Sequence, residues 1–167
     1  NGDNAFAWAS HLSLFVRRLP QASRVWALPY GASFHRQIFD TYGMFPEDLR
    51  AGEDTAMVSR LPASLQPVWA RSVLTFHLSP TTAGAMIVDQ YRRGRRSSSV
   101  ILSGRRRIIR TVFLQFWRRT RIPIQLIRRT DLRDEPHIKR AIMLMPVCAA
   151  AYAIGIAAGR GQPDLSR

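Results

Sequence analysis

The run Ala141–Gly159, AIMLMPVCAAAYAIGIAAG, carries no charge over nineteen residues, and Arg140 and Arg160 bracket it. As a helix rising about 1.5 Å per residue it would span roughly 28 Å, close to a hydrocarbon core of about 30 Å. Two elements fit such a run. One is a transmembrane helix, the reading its length and lack of charge favour. The other is the buried helix of a soluble domain, which its Ala and Gly content and the kink expected at Pro146 leave open.

Charge separates the chain into zones. The formal net charge is +14 over 167 residues. Residues 1–91 balance seven Arg against seven acids, whereas residues 92–140 hold fifteen Arg and Lys139 against Asp131, Asp134 and Glu135. A polycationic segment of this kind seeks nucleic acid or an anionic lipid surface. The adjoining apolar run favours lipid, since nucleic-acid binding gives it no role. With the basic excess on its N-terminal side, the positive-inside rule places residues 1–140 on the cytoplasmic face of a cell membrane. Within the basic zone, Ile108–Ile127 carries Ile108, Ile109, Val112, Phe113, Phe116 and Trp117 at helical spacing, with Arg110, Arg118, Arg119 and Arg121 interleaved. That pattern fits an interfacial helix on anionic lipid, or equally a helix packed on a domain with its arginines solvated. Pro123 is expected to end or kink it. The domain reading is therefore 1–96 catalytic, 97–140 basic and juxtamembrane, 141–159 transmembrane, and 160–167 a short tail.

The single cysteine, Cys148, excludes an intrachain disulfide framework and a cysteine-based zinc site. No G-x-S-x-G, H-E-x-x-H or Walker loop is present. The first ninety residues alternate elements. Arg24–Ser33 and Pro67–His77 are rich in strand formers, whereas Phe34–Tyr42, Glu53–Leu61 and the run from Ser79-Pro80 to about Arg93 have helical patterns. Alternation of this kind predicts an α/β domain.

Four pieces then stand in order: Gly31-Ala32-Ser33-Phe34-His35-Arg36, Tyr42-Gly43-Met44-Phe45-Pro46-Glu47, Gly52-Glu53-Asp54-Thr55 and Ser59-Arg60-Leu61. Together they resemble the C-terminal half of family-two, GT-A-fold glycosyltransferases, over about residues 25–95. Ala32 and Ser33 depart from the usual Gly-Asn, Met44 from a second Gly, and Ala56 from an Asp. The resemblance implies the acceptor-side half of a Rossmann-like GT-A domain, with the nucleotide-binding half and its D-x-D acid upstream of Asn1. It implies inverting transfer from a nucleotide-sugar donor to a lipid-linked or polysaccharide acceptor, aided by Mg or Mn. Asp54 would be the general base and Glu53 its orienter or an acceptor contact. Gly31, Ala32 and Ser33 would line the substrate, and His77 would ligate the metal. Gln90 and Arg93 match part of the Q-x-x-R-W pattern, with Gly94 in place of the Trp, and Arg93 would hold a diphosphate.

The residues offer their own argument for the acidic pair. Direct displacement at a sugar needs a carboxylate to take the acceptor proton, and a helix start holds one in ionised form. Taken alone, an acidic pair before a helical run is an N-terminal cap, and a lone strand-end His is structural. The alternative to an enzyme is a basic membrane-surface or nucleic-acid-binding protein. For the enzyme, the expected partners are donor, acceptor and anionic lipid, with no nucleic acid.

Overall fold

A computed structural model describes residues 3–16, 33–47, 49, 52–67, 77–102 and 107–159. The described residues form helices α1 (Ala5–Phe15), α2 (Arg36–Tyr42), α3 (Glu53–Ser59), α4 (Ala83–Leu102), α5 (Ile108–Ile127) and α6 (Pro136–Ala158). Short 3-10 turns stand at Ala63–Leu65 and Asp131–Asp134.

No strand occurs among the described residues, so the α/β expectation is corrected to a helical protein. The GT-A assignment falls with it, because a Rossmann-like domain is built on a sheet. The physical reason is visible in what is buried: apolar residues at helical spacing on α1, α4, α5 and α6 close on one another, helix against helix. Strand propensity is weak evidence by comparison, since it reflects how a side chain fits a pleated surface. Of the two runs read as strands, residues 24–32 and 68–76 lie outside the described residues.

Helix α6 is the axis of the packing, with α1, α4 and α5 laid along it. The core joins Ala9, Leu12 and Val16 at α1, Met86 of α4, Ile127 of α5, and Ile138, Ala141, Met145 and Cys148 of α6. Asn4 starts α1 by accepting the Ala7 N–H at 2.9 Å, the usual role of an Asn N-cap. Helices α5 and α6 form an antiparallel pair, with the Asp131–Asp134 turn between them and Pro136 opening α6 at its first turn. Pro123 neither ends α5 nor stays on the surface; the helix continues through it and buries it.

Helices α4 and α6 run parallel where they touch, and they touch backbone to backbone. A Cβ on Gly94 would overlap the Tyr152 carbonyl and lie 3.0 Å from the Ile156 nitrogen. A Cβ on Gly155 would overlap the Tyr91 carbonyl and lie 3.0 Å from the Arg95 nitrogen. Gly159 meets Ser98 and the Arg95 carbonyl in the same way. Small residues four apart, Gly94 and Ser98 on α4 and Gly155 and Gly159 on α6, permit this approach. Ser97-Ser98-Ser99, linker-like in sequence, lies inside α4, with Ser98 buried.

Helices α2 and α3 stand outside this packing. Phe34, Phe39 and Phe45 stack at 5.5–6.0 Å around α2, and Gly43 ends it at φ 83°. Arg60 donates to the Met44 carbonyl at 3.2 Å, tying the end of α3 to that turn.

Candidate functional site

Among the sequence-derived candidates, His77, Gln90 and Arg93 come together and Glu53 and Asp54 do not join them. The meeting point is Asp89 on α4. Its Oδ2 accepts from Arg93 Nε at 2.8 Å, one helical turn on, and receives Gln90 Nε2 and Ser10 Oγ, each at 3.4 Å. Gln90 is fully buried between α1 and α4, and its Nε2 also reaches Ser10 Oγ at 3.4 Å. Its Oε1 has no hydrogen-bond partner. Arg93 thus spends its charge on Asp89, and Gln90 knits α4 to α1.

His77 precedes α4 and turns its ring onto Phe15 of α1 at 4.8 Å, with His11 at 6.3 Å. Its Nδ1 lies 3.3 Å from Ser79 Oγ. Burial and the nearby Arg93 guanidinium push its pKa below the ordinary histidine value, against the opposing pull of Asp89. His11 is lowered too, by burial and then by His77. A hard cation such as Mg or Mn wants oxygen ligands. The ring's neighbours are aromatic, and the nearby carboxylate is already paired with Arg93. No group of three metal-ligating side chains occurs among the described residues. Among the described residues, His77 is thus placed by ring contacts and a serine hydroxyl.

Glu53 and Asp54 open α3, entered through Gly52 in the left-handed region at φ 87°. This is the helix start expected from the sequence. Asp54 Oδ1 accepts the Thr55 N–H at 2.6 Å and the Thr55 hydroxyl at 3.2 Å, both exposed. Ser33 is exposed; Gly31 and Ala32 lie outside the described residues. Gly94, which stands where the Q-x-x-R-W pattern has Trp, is a packing position where no side chain fits.

The sequence missed Arg119. Its guanidinium lies over the Tyr152 ring of α6, 3.3 Å from the ring centroid. Along α5 the half-buried or buried Gln115, Arg119 and Pro123 stand four residues apart, so Arg119 shares the side that meets α6. The outward face of the same helix is unlike a solvated surface. Ile109, Phe113, Leu114 and Trp117 are 87%, 65%, 44% and 50% exposed. Arg110, Arg118 and Arg121 share that face, with Arg121 5.8 Å from the centre of the Trp117 ring.

No family model, no curated protein and no solved structure matches the chain. Helix α6 is long and apolar enough to cross a membrane.

Proposed function

We propose that this chain works at an anionic membrane surface, with α5 lying among the lipid headgroups. The observation that carries the reading is the outward face of α5, four exposed apolar side chains with three arginines beside them. A helix of that composition buries its apolar face about 5–10 Å into the headgroup boundary while its cations meet anionic lipid. Each arginine near such a surface contributes roughly 1 kcal/mol. The anionic cytoplasmic leaflet is the natural host.

In this packing α6 serves as the central helix of the bundle. The Arg95 backbone lies against Gly155, and the Arg119 guanidinium covers the Tyr152 ring. Crossing a bilayer with Arg119 in place would carry its guanidinium into hydrocarbon at about 2.5–3.5 kcal/mol. A span by α6 therefore requires it to shed α5.

Flotation with vesicles tests the reading. Residues 1–167 should float with anionic vesicles, stay behind with neutral ones, and lose binding when Phe113 and Trp117 are both changed to Ser. Equal flotation with neutral vesicles, or tight salt-sensitive binding to RNA without any to lipid, would remove its basis.

Sugar transfer is a second reading, favoured by the two carboxylates at the start of α3, Glu53 exposed and Asp54 half-buried. There Asp54 would accept the proton of a lipid-linked acceptor's hydroxyl as its oxygen bonds the anomeric carbon of a nucleotide-activated sugar and the nucleotide leaves with its phosphate. Asp54→Asn keeps the shape and removes the base, so transfer should fall about 10²–10⁴-fold. Unchanged transfer by Asp54→Asn would end that reading.

A further inference from the structure

We propose that Arg119, with Tyr152, forms a binding site for a phosphate group between α5 and α6, on the α4 side. The proposal deepens the membrane-surface reading, which supplies only the source of the phosphate.

Three observations lead there. First, Arg119 is half-buried yet has no ion pair to a carboxylate among the described residues. Its near neighbours are the Tyr152 ring and a second cation, Arg93. Burial and Arg93 weaken its hold on its proton, and Tyr152 opposes them. Second, Arg93 does not relieve the imbalance and does not need relief itself, because Asp89 holds it at 2.8 Å. The neighbourhood therefore keeps one uncompensated positive charge, and buried charges are ordinarily paired. Third, the geometry leaves the useful part of the guanidinium available. The aromatic ring takes one face of the plane, whereas donation to an anion runs from the N–H groups at its edge. Those donors form a planar fork that matches two oxygens of a phosphate.

Position adds the partner chemistry through proximity. Trp117 and Arg118 precede Arg119 and face outward, so a headgroup met by the outward face of α5 lies one residue from the inward fork. Arg119 keeps partial exposure, which leaves an approach from that side.

The test titrates residues 1–167 with inorganic phosphate and, separately, with short-chain phosphatidic acid, following the arginine Nε–H resonances. Arg119 should shift saturably with at least one probe, and Arg118 should not saturate alongside it. Saturation by both probes supports a site for free phosphate as well as lipid; saturation by phosphatidic acid alone assigns the site to headgroups. Arg119→Lys keeps the charge and loses the fork, so affinity should fall about tenfold. If Arg119 fails to saturate with either probe in the wild-type chain, or if Arg119→Lys binds as tightly, the site does not exist. The flotation result is separate: vesicle binding without saturation at Arg119 would overturn this site and spare the surface reading. Saturation without vesicle binding would do the reverse.

Discussion

Replacing Gly155 by Ala sets two effects of known sign against each other. Alanine is the better helix former by roughly 0.5–1 kcal/mol, so the local effect of Gly155→Ala inside α6 is stabilising. The crossing with α4 opposes it. The new methyl would overlap the Tyr91 carbonyl and lie 3.0 Å from the Arg95 nitrogen, and both are backbone atoms that cannot rotate away. Relief requires the two helices to separate, loosening Gly94 against Tyr152 and Gly159 against Ser98 at the same time. Overpacking of one methyl group typically costs about 1–3 kcal/mol. The contact with backbone places this case in the upper part of that range, leaving a net loss of about 1–2 kcal/mol. For a chain of this size each kcal/mol moves Tm by about 2–4 °C, so Tm should fall by roughly 2–8 °C. Gly84→Ala is the matched control: it lies in α4 with nothing within 4 Å of the new Cβ, and Tm should hold or rise. Thermal unfolding followed by far-UV circular dichroism reads both. If Gly155→Ala is as stable as Gly84→Ala, the backbone-to-backbone crossing of α4 and α6 is wrong.

Burial pushes the Cys148 thiol up to about 12 from an ordinary 9.0, so its thiolate fraction at pH 8 should drop about 10³-fold. Iodoacetamide should label Cys148 at least that much more slowly in the folded chain than in urea; equal rates would show that α6 is not packed as described. His11 and His77 both have folded pKa values depressed below 6.5, so below that pH the unfolded chain binds protons that the folded one does not. Stability should therefore fall as pH drops from 6.5 towards those lowered values, and His11→Phe should flatten the dependence of Tm on pH. A Tm that stays level over this range in the wild type would contradict the buried His11–Phe15–His77 contact.

Local elements were legible where the chain carries its own punctuation. Helix α5 occupies Ile108–Ile127, the range its periodicity marks, and Gly43 and Gly52 bound α2 and α3 with the positive φ values that favour glycine. Helix α1 was not anticipated, although Asn4 before an apolar run is a capping signal. The fold class was misread because strand propensity in two runs was taken as alternation, whereas the described core closes helix on helix around α6. Among the candidate residues, the Asp89–Arg93 pair has the i,i+4 spacing that a helix brings together, whereas the burial of Gln90 against Ser10 could not be read. That contact depends on α1, eighty residues away in the chain. Arg119 was the opposite case. Its neighbours at four-residue spacing were in the sequence, but an arginine among so many was read as part of a solvated or lipid-facing zone.

The central claim is that the outward face of α5 enters the membrane surface, and a spin label at its middle tests this most directly. In a Cys148→Ala background, Phe113→Cys carries a nitroxide whose collisions with oxygen and with a water-soluble nickel complex report its depth. On anionic vesicles the label should become more accessible to oxygen and be shielded from nickel, at a depth of about 5–10 Å below the headgroup boundary. With neutral vesicles it should stay aqueous. A label that remains fully accessible to nickel while the protein is bound to anionic vesicles would place α5 away from the lipid and contradict the account.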